Sequence, residues 1–198
     1  MSTTGPHTVV FHALVLAGGR SSRLGGRPKA GLRRGGRTLL ELTVDAVGAA
    51  AGVVVVGPED LVVPEGVLRT REDPPYAGPA AGIAAGLGAL AVLEPAEWTM
   101  TLACDMPGVS QAVPLLLEAA RTGDGAAGYV SVPPGGHRQP LAALYRSDVL
   151  RRAFAGQDAA DRSVFSFVRD LPLRDVTVPE DATADVDTWD DVHRHHLT

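Results

Sequence analysis

Val9-Val10-Phe11-His12-Ala13-Leu14-Val15-Leu16-Ala17 runs directly into Gly18-Gly19-Arg20-Ser21-Ser22-Arg23-Leu24-Gly25-Gly26. The first part is almost continuously apolar, the pattern of a strand covered on both faces, as in a parallel sheet. The glycines that follow let the backbone turn tightly and leave N–H groups at the strand tip, where phosphate oxygens can be cradled. The loop does not read G-x-G-x-x-G, so the dinucleotide fingerprint is missing, and no G-x-x-x-x-G-K-[ST] occurs anywhere in the chain. A nicotinamide-dependent oxidoreductase is disfavoured on that ground.

Charge sharpens the reading. The protein is acidic, with 18 Lys and Arg against 23 Asp and Glu and a net charge of −5, which argues against a broad nucleic-acid surface. Yet Arg20, Arg23, Arg27, Lys29, Arg33, Arg34 and Arg37 crowd one stretch that holds no acidic residue. Lys29 is the only lysine. Where arginine serves every other basic position, a solitary lysine points to a task that needs a compact ammonium on a flexible stem. For Arg33, Arg34 and Arg37 a solvated charged loop is the competing account.

Outward from the loop, the pattern alternates. A helix is expected over residues 38–51, strands over 53–56 and 67–70, and a closely packed Gly-rich helix over 80–93. A strand over 98–103 leads into Cys104-Asp105-Met106-Pro107. A helix over 113–121, strands over 127–132 and 141–145, helices around 148–155 and 164–170, a strand at 176–178 and a short helix over 190–196 complete the chain. Strands alternating with helices in short units predict an α/β fold: a Rossmann-like, mostly parallel sheet with helices on both faces. Its 198 residues suit a single domain, divided by function into a nucleotide-binding half, residues 9–106, and an acceptor-binding half, residues 107–198. The single cysteine excludes an internal disulfide, and residues 77–93 are too short and too weakly apolar for a membrane span. A cytoplasmic protein with no membrane partner is the expectation; the oligomeric state is not legible.

Four acidic or basic positions carry the chemistry. Asp105 follows an apolar strand, at the edge where open α/β sheets bind ligands, and a carboxylate there suits Mg²⁺; capping the next helix is the alternative. Asp73 alone reads as a turn residue before Pro74-Pro75. Asp187 precedes Thr188, which with Asp191 fits a helix capping box, so a ligand and a cap are equal readings. Arg138, in His137-Arg138-Gln139-Pro140, suits an anionic acceptor or a surface hairpin. Cys104 reads as a small buried residue and His193, His195 and His196 as a solvated tail.

Together these motifs resemble the MobA-like nucleotidyltransferases. Leu16-Ala17-Gly18-Gly19-Arg20-Ser21-Ser22-Arg23-Leu24-Gly25 with Lys29 is similar to the family's glycine loop. Glu72-Asp73 before Gly78-Pro79-Ala80-Ala81-Gly82, then Cys104-Asp105-Met106-Pro107, then Asp185-Val186-Asp187-Thr188 follow in the family's order. Trp189 departs from the proline common there. The resemblance implies a sheet of the nucleotide-diphospho-sugar transferase type. It implies nucleotide contacts from Leu16, Ala17, Gly18, Gly19, Ser21, Arg23, Lys29, Asp73 and Asp105, with Arg23, Lys29 and Asp105 catalytic. Mg²⁺ falls to Asp105 and Asp187, and the acceptor lies with the second half, near Arg138. The implied reaction moves GMP from GTP to molybdopterin with release of pyrophosphate. A cytidylyltransferase or other sibling acting on a phosphorylated small molecule, and a non-catalytic nucleotide-binding regulator, are the alternatives.

Overall fold

The computed structural model describes residues 8–19, 24–25, 27–123 and 125–198. Its frame is a seven-stranded sheet in the order β5-β4-β1-β6-β8-β7-β9. β1 (Phe11–Leu16) lies inside it, between β4 (Gly52–Val56) and β6 (Trp98–Ala103), both parallel to it. β5 (Leu68–Thr70) adds in parallel to β4, and β9 (Leu173–Thr177) in parallel to β7 (Gly128–Val132). β8 (Gln139–Arg146) runs antiparallel to both β6 and β7. That reversal has a local cause. Residues 133–138 are too few for the crossover that parallel neighbours require, so β7 and β8 meet as a hairpin.

Helices cover both faces, as the alternating pattern predicts. On one face α2 (Pro79–Leu90), α4 (Ser147–Phe154) and α5 (Phe165–Val168) pack with Leu14, Val54, Val56, Val130 and Tyr145. On the other, α1 (Leu39–Ala46) and α3 (Ala112–Thr122) cover the opposite side chains of the same strands: Ala13 and Val15 of β1, Val55 of β4, and Met100 and Leu102 of β6. Residues 13, 15 and 14 fall on opposite faces because a strand alternates. Each large apolar side chain buried this way contributes roughly 1.5–3 kcal/mol. α2 lies close to the sheet because it is thin: a Cβ on Gly86 would come within 2.9 Å of Leu14 and 3.2 Å of Val56.

Several elements depart from the sequence expectation. α1 stops at Ala46, not at residue 51, because Val47 already leaves helical geometry (φ −108°, ψ 24°). The last strand is Leu173–Thr177, where residues 176–178 were expected. Part of the basic stretch is a small hairpin, β2 (Arg33–Arg34) and β3 (Arg37–Thr38), turning through Gly35 and Gly36 at φ 60° and 84°. Both turn positions need positive φ, which glycine adopts at no steric cost.

The C-terminal segment returns to the start of the chain. α6 (Trp189–Arg194) begins at the Thr188–Asp191 capping box, and Val186, Val192 and Leu197 bury against Leu24, Leu32 and Leu39. Thr198 exchanges backbone hydrogen bonds of 2.9 Å with Arg33 in both directions. Among the described residues no helix is long and apolar enough to cross a membrane.

Candidate active site

The parallel strands β4, β1 and β6 finish side by side, with Leu16 in register with Val56 and Ala103. Past that line the chain stays tied: the Ala17 N–H donates to the Val56 carbonyl (2.8 Å) and the Cys104 N–H to the Leu16 carbonyl (3.0 Å). Gly18, Gly19 and Asp105 therefore sit next to one another at the carboxyl edge of the sheet, where ligands bind in this class of fold. Ser21 and Arg23, both expected at the nucleotide, lie outside the described residues.

Lys29 opens a single 3-10 turn after the loop and reaches across the strand tips. Its Nζ donates to Asp105 Oδ2 at 3.0 Å and to Asp187 Oδ1 at 2.5 Å. The three side chains are 19%, 28% and 44% exposed, a site open enough for a ligand to enter. Burial by itself would lower the Lys29 pKa; the hydrogen bonds and negative charges of Asp187 and Asp105 outweigh it and hold the ammonium above its ordinary value. The group stays protonated throughout the neutral range. Asp105 does not cap the next turn, which begins at Gly108. The two readings of the Asp187 region separate onto different residues: Thr188 and Asp191 form the cap, and the Asp187 carboxylate meets Lys29. Asp191 also accepts the Asp187 N–H at 3.2 Å, so the cap steadies the carboxylate before it.

Residues 183–187 reach Asp105 by a backbone contact, the Val186 N–H donating to the Asp105 carbonyl at 2.9 Å. Further along, Gly108 passes so close to the turn Glu180–Ala182 that a Cβ there would stand 2.1 Å from the Asp181 carbonyl oxygen. Asp185, two residues before Asp187, is a partly buried third acid. Burial, followed by the charges of Asp105 and Asp187, raises its pKa against the lowering effect of its own backbone N–H and of Lys29. Its place two residues before Asp187 is the signal that would have paired the two.

Two cavities adjoin at this edge. One of about 390 Å³ is bounded by Leu16, Val56, Glu72, Tyr76, Pro79 and Leu141, among others. The second, of about 570 Å³, carries Lys29, Pro28, Pro58, Asp60 and Cys104. Leu16, Gly18, Gly19, Tyr76 and Asp105 border both, so the two are compartments of one cleft. The sequence marked Glu72 only as part of the Glu72-Asp73 motif and did not single out Tyr76, for which one aromatic in a Pro- and Gly-rich turn was the available sign. Asp73 beside them is exposed, its neighbour Glu72 forming the cavity wall. Arg138 borders neither cavity, and its guanidinium is paired with Asp175 at 2.6 Å. Two arginines of the basic stretch are engaged locally: Arg34 donates to the Pro107 carbonyl at 2.8 Å and Arg37 pairs with Asp45. Cys104 is fully buried, and burial raises its thiol pKa far above the ordinary value, so it remains a neutral thiol.

A mostly parallel sheet whose interior first strand ends in a glycine loop, with a cation facing carboxylates across the tip, belongs to enzymes that move nucleotidyl groups. Residues 13–176 match the model of the MobA-like NTP transferase domain, and the chain belongs to that family. A probable molybdenum cofactor guanylyltransferase of Opitutus terrae is 36% identical over 183 residues, 88% of each chain. The molybdenum cofactor guanylyltransferase of Cupriavidus taiwanensis is 30% identical over 194 residues, covering 92% of this chain and 94% of that protein. Among solved structures, the Rv0371c homologue of Mycobacterium sp. strain JC1 superposes with a TM-score of 0.69 at 25% identity, covering 93% of both chains. The protein is a nucleotidyltransferase.

Proposed function

We propose that the enzyme transfers GMP from GTP to a molybdopterin-type acceptor and releases pyrophosphate. The observation that carries this reading is the Lys29 ammonium shared by Asp105 and Asp187 at the mouth of a cleft floored by Gly18 and Gly19. The base enters the apolar cavity beside Leu16, Val56 and Pro79, and the triphosphate lies in the cavity that holds Lys29. The names of the curated relatives supply the donor and the acceptor.

An acceptor phosphate oxygen forms the new bond to the α-phosphorus, and the bond from that phosphorus to the bridging oxygen breaks as pyrophosphate departs. The attacking oxygen is already anionic and needs no strong base. What this chain's residues do is align the two substrates and offset negative charge. Backbone N–H groups of Gly18 and Gly19 face the phosphates, and Lys29 meets them with a fixed positive charge. Arg23 and Ser21 complete the loop by resemblance to the family.

The residues fit Mg²⁺. Two carboxylate oxygens already converge on one cation, and both are the hard donors this ion takes. Among the described residues no group of three His, Cys, Asp or Glu is placed to hold a metal. That suits an ion which keeps one or two carboxylates and completes its shell with phosphates and waters. Asp105 and Asp187 would hold it, and bound there it would supply charge neutralisation at the phosphates. Asp73 and Arg138 stay in the proposal on the strength of the family resemblance alone.

The test is pyrophosphate release with molybdopterin, Mg²⁺ and each of GTP, CTP, ATP and UTP. GTP is expected to lead; a lead for CTP makes the enzyme a cytidylyltransferase, and release with none makes it a nucleotide-binding regulator. Lys29→Ala and Asp105→Ala should each lower turnover by roughly 10²–10³, about 3–4 kcal/mol, while the protein stays folded.

A further inference from the structure

Tyr76 pays a conformational cost for a place that gives its ring little burial. Its φ is 65°, a left-handed conformation that costs a side-chain-bearing residue about 1–2 kcal/mol and that glycine takes freely. The residue is 48% exposed, so packing in the core does not repay that cost. The neighbours hold the conformation in place. Glu72 Oε1 accepts the Tyr76 N–H at 2.9 Å. Ala77 is buried, and its carbonyl accepts the Asp161 N–H at 2.7 Å. The loop is over-determined on both sides of a strained aromatic, the pattern of a residue kept for its side chain rather than for the fold.

The ring's location says what it is kept for. Tyr76 borders both cavities of the cleft, and the Arg71 guanidinium lies 5.2 Å from its ring centroid. The smaller cavity offers the apolar side chains of Leu16, Val56, Pro79 and Leu141 beside the carboxylates of Glu72 and Asp105, a lining that takes a flat heterocycle with polar edges. The larger carries the charged pair Lys29 and Asp105.

We propose that Tyr76 is a nucleotide-binding residue whose ring stacks on the base of the bound nucleoside triphosphate, at the passage between the base and triphosphate compartments. This rests on the nucleotidyltransferase reading above and extends it. Every base has a π-face, so the ring contributes affinity for the nucleoside without choosing among bases.

Calorimetry of the wild type, Tyr76→Phe and Tyr76→Gly, each with Mg²⁺–GTP and with inorganic triphosphate, tests it. Glycine accepts φ 65° and removes only the ring, so Tyr76→Gly should fold with a melting temperature close to the wild type's. GTP affinity should fall about tenfold or more in Tyr76→Gly and change little in Tyr76→Phe, with triphosphate affinity equal in all three. Equal GTP affinity in wild type and Tyr76→Gly overturns the proposal. So does an equal loss for GTP and triphosphate, which marks a loop effect, or a loss in Tyr76→Phe as large as in Tyr76→Gly, which marks the hydroxyl. A wild type that binds no nucleoside triphosphate overturns the nucleotidyltransferase reading itself, a result distinguishable from the other three.

Discussion

Asp185 shows at the residue scale what a crowded negative site costs. It is partly buried beside Asp105 and Asp187, and its raised pKa means that its charged form is less favoured in the folded protein than in the unfolded chain. A carboxyl group raised in this way lowers stability as pH climbs from its unfolded value through its folded value, because the native state then has to give up the proton it prefers to keep. Asp185→Asn removes that charge and keeps the shape. The melting temperature of this variant should exceed the wild type's by about 2–4 °C at pH 7.5, and the gap should close as the pH approaches 4. Scanning calorimetry at the two pH values checks both the sign and the window. At this scale the sequence was informative where chemistry is local. A solitary lysine after a glycine loop and an aspartate at a strand tip identified Lys29 and Asp105, which do meet. Tyr76 escaped because its importance lies in a backbone dihedral, which residue type alone does not announce.

At the scale of elements, small residues decide how close two segments come. Gly108 and the turn Glu180–Ala182 touch backbone to backbone, and this contact spaces the segment after Asp105 from the segment before Asp187. Gly108→Ala drives a methyl group into a carbonyl that cannot rotate away. It should destabilise the fold by about 1–3 kcal/mol and lower activity together, since the carboxylates move apart. Gly88, inside α2, has nothing within 4 Å of its ideal Cβ, and Gly88→Ala should stabilise by about 0.5–1 kcal/mol through helix propensity alone. Urea unfolding of the two variants, with opposite signs expected, checks the pair. Strand identity was readable from apolar runs, β1 and β6 above all. Where α1 stops and where β9 lies were less so, because element ends depend on packing that single residues do not encode.

On the scale of the whole molecule, the sheet edge was foreseeable and its closure was not. Alternating strands and helices led to an α/β sheet, and a short linker explains why β8 reverses within it. The contact of Val186, Val192 and Leu197 with Leu24, Leu32 and Leu39 joins stretches far apart in the chain, and no local pattern forecasts it. Removing residues 183–198 exposes that cluster, each large side chain worth roughly 1.5–3 kcal/mol, and takes Asp187 with it. The truncated protein should melt well below the full chain and release no pyrophosphate, whereas Asp187→Ala should keep most of the stability while losing activity. Thermal unfolding alongside the release assay separates the two. The same arrangement bears on biosynthesis. The ribosome delivers the glycine loop and Lys29 well before Asp187, so a nascent chain holds a half-built reaction centre until residue 187 has been added. Turnover is thereby reserved for polypeptides that extend past that carboxylate.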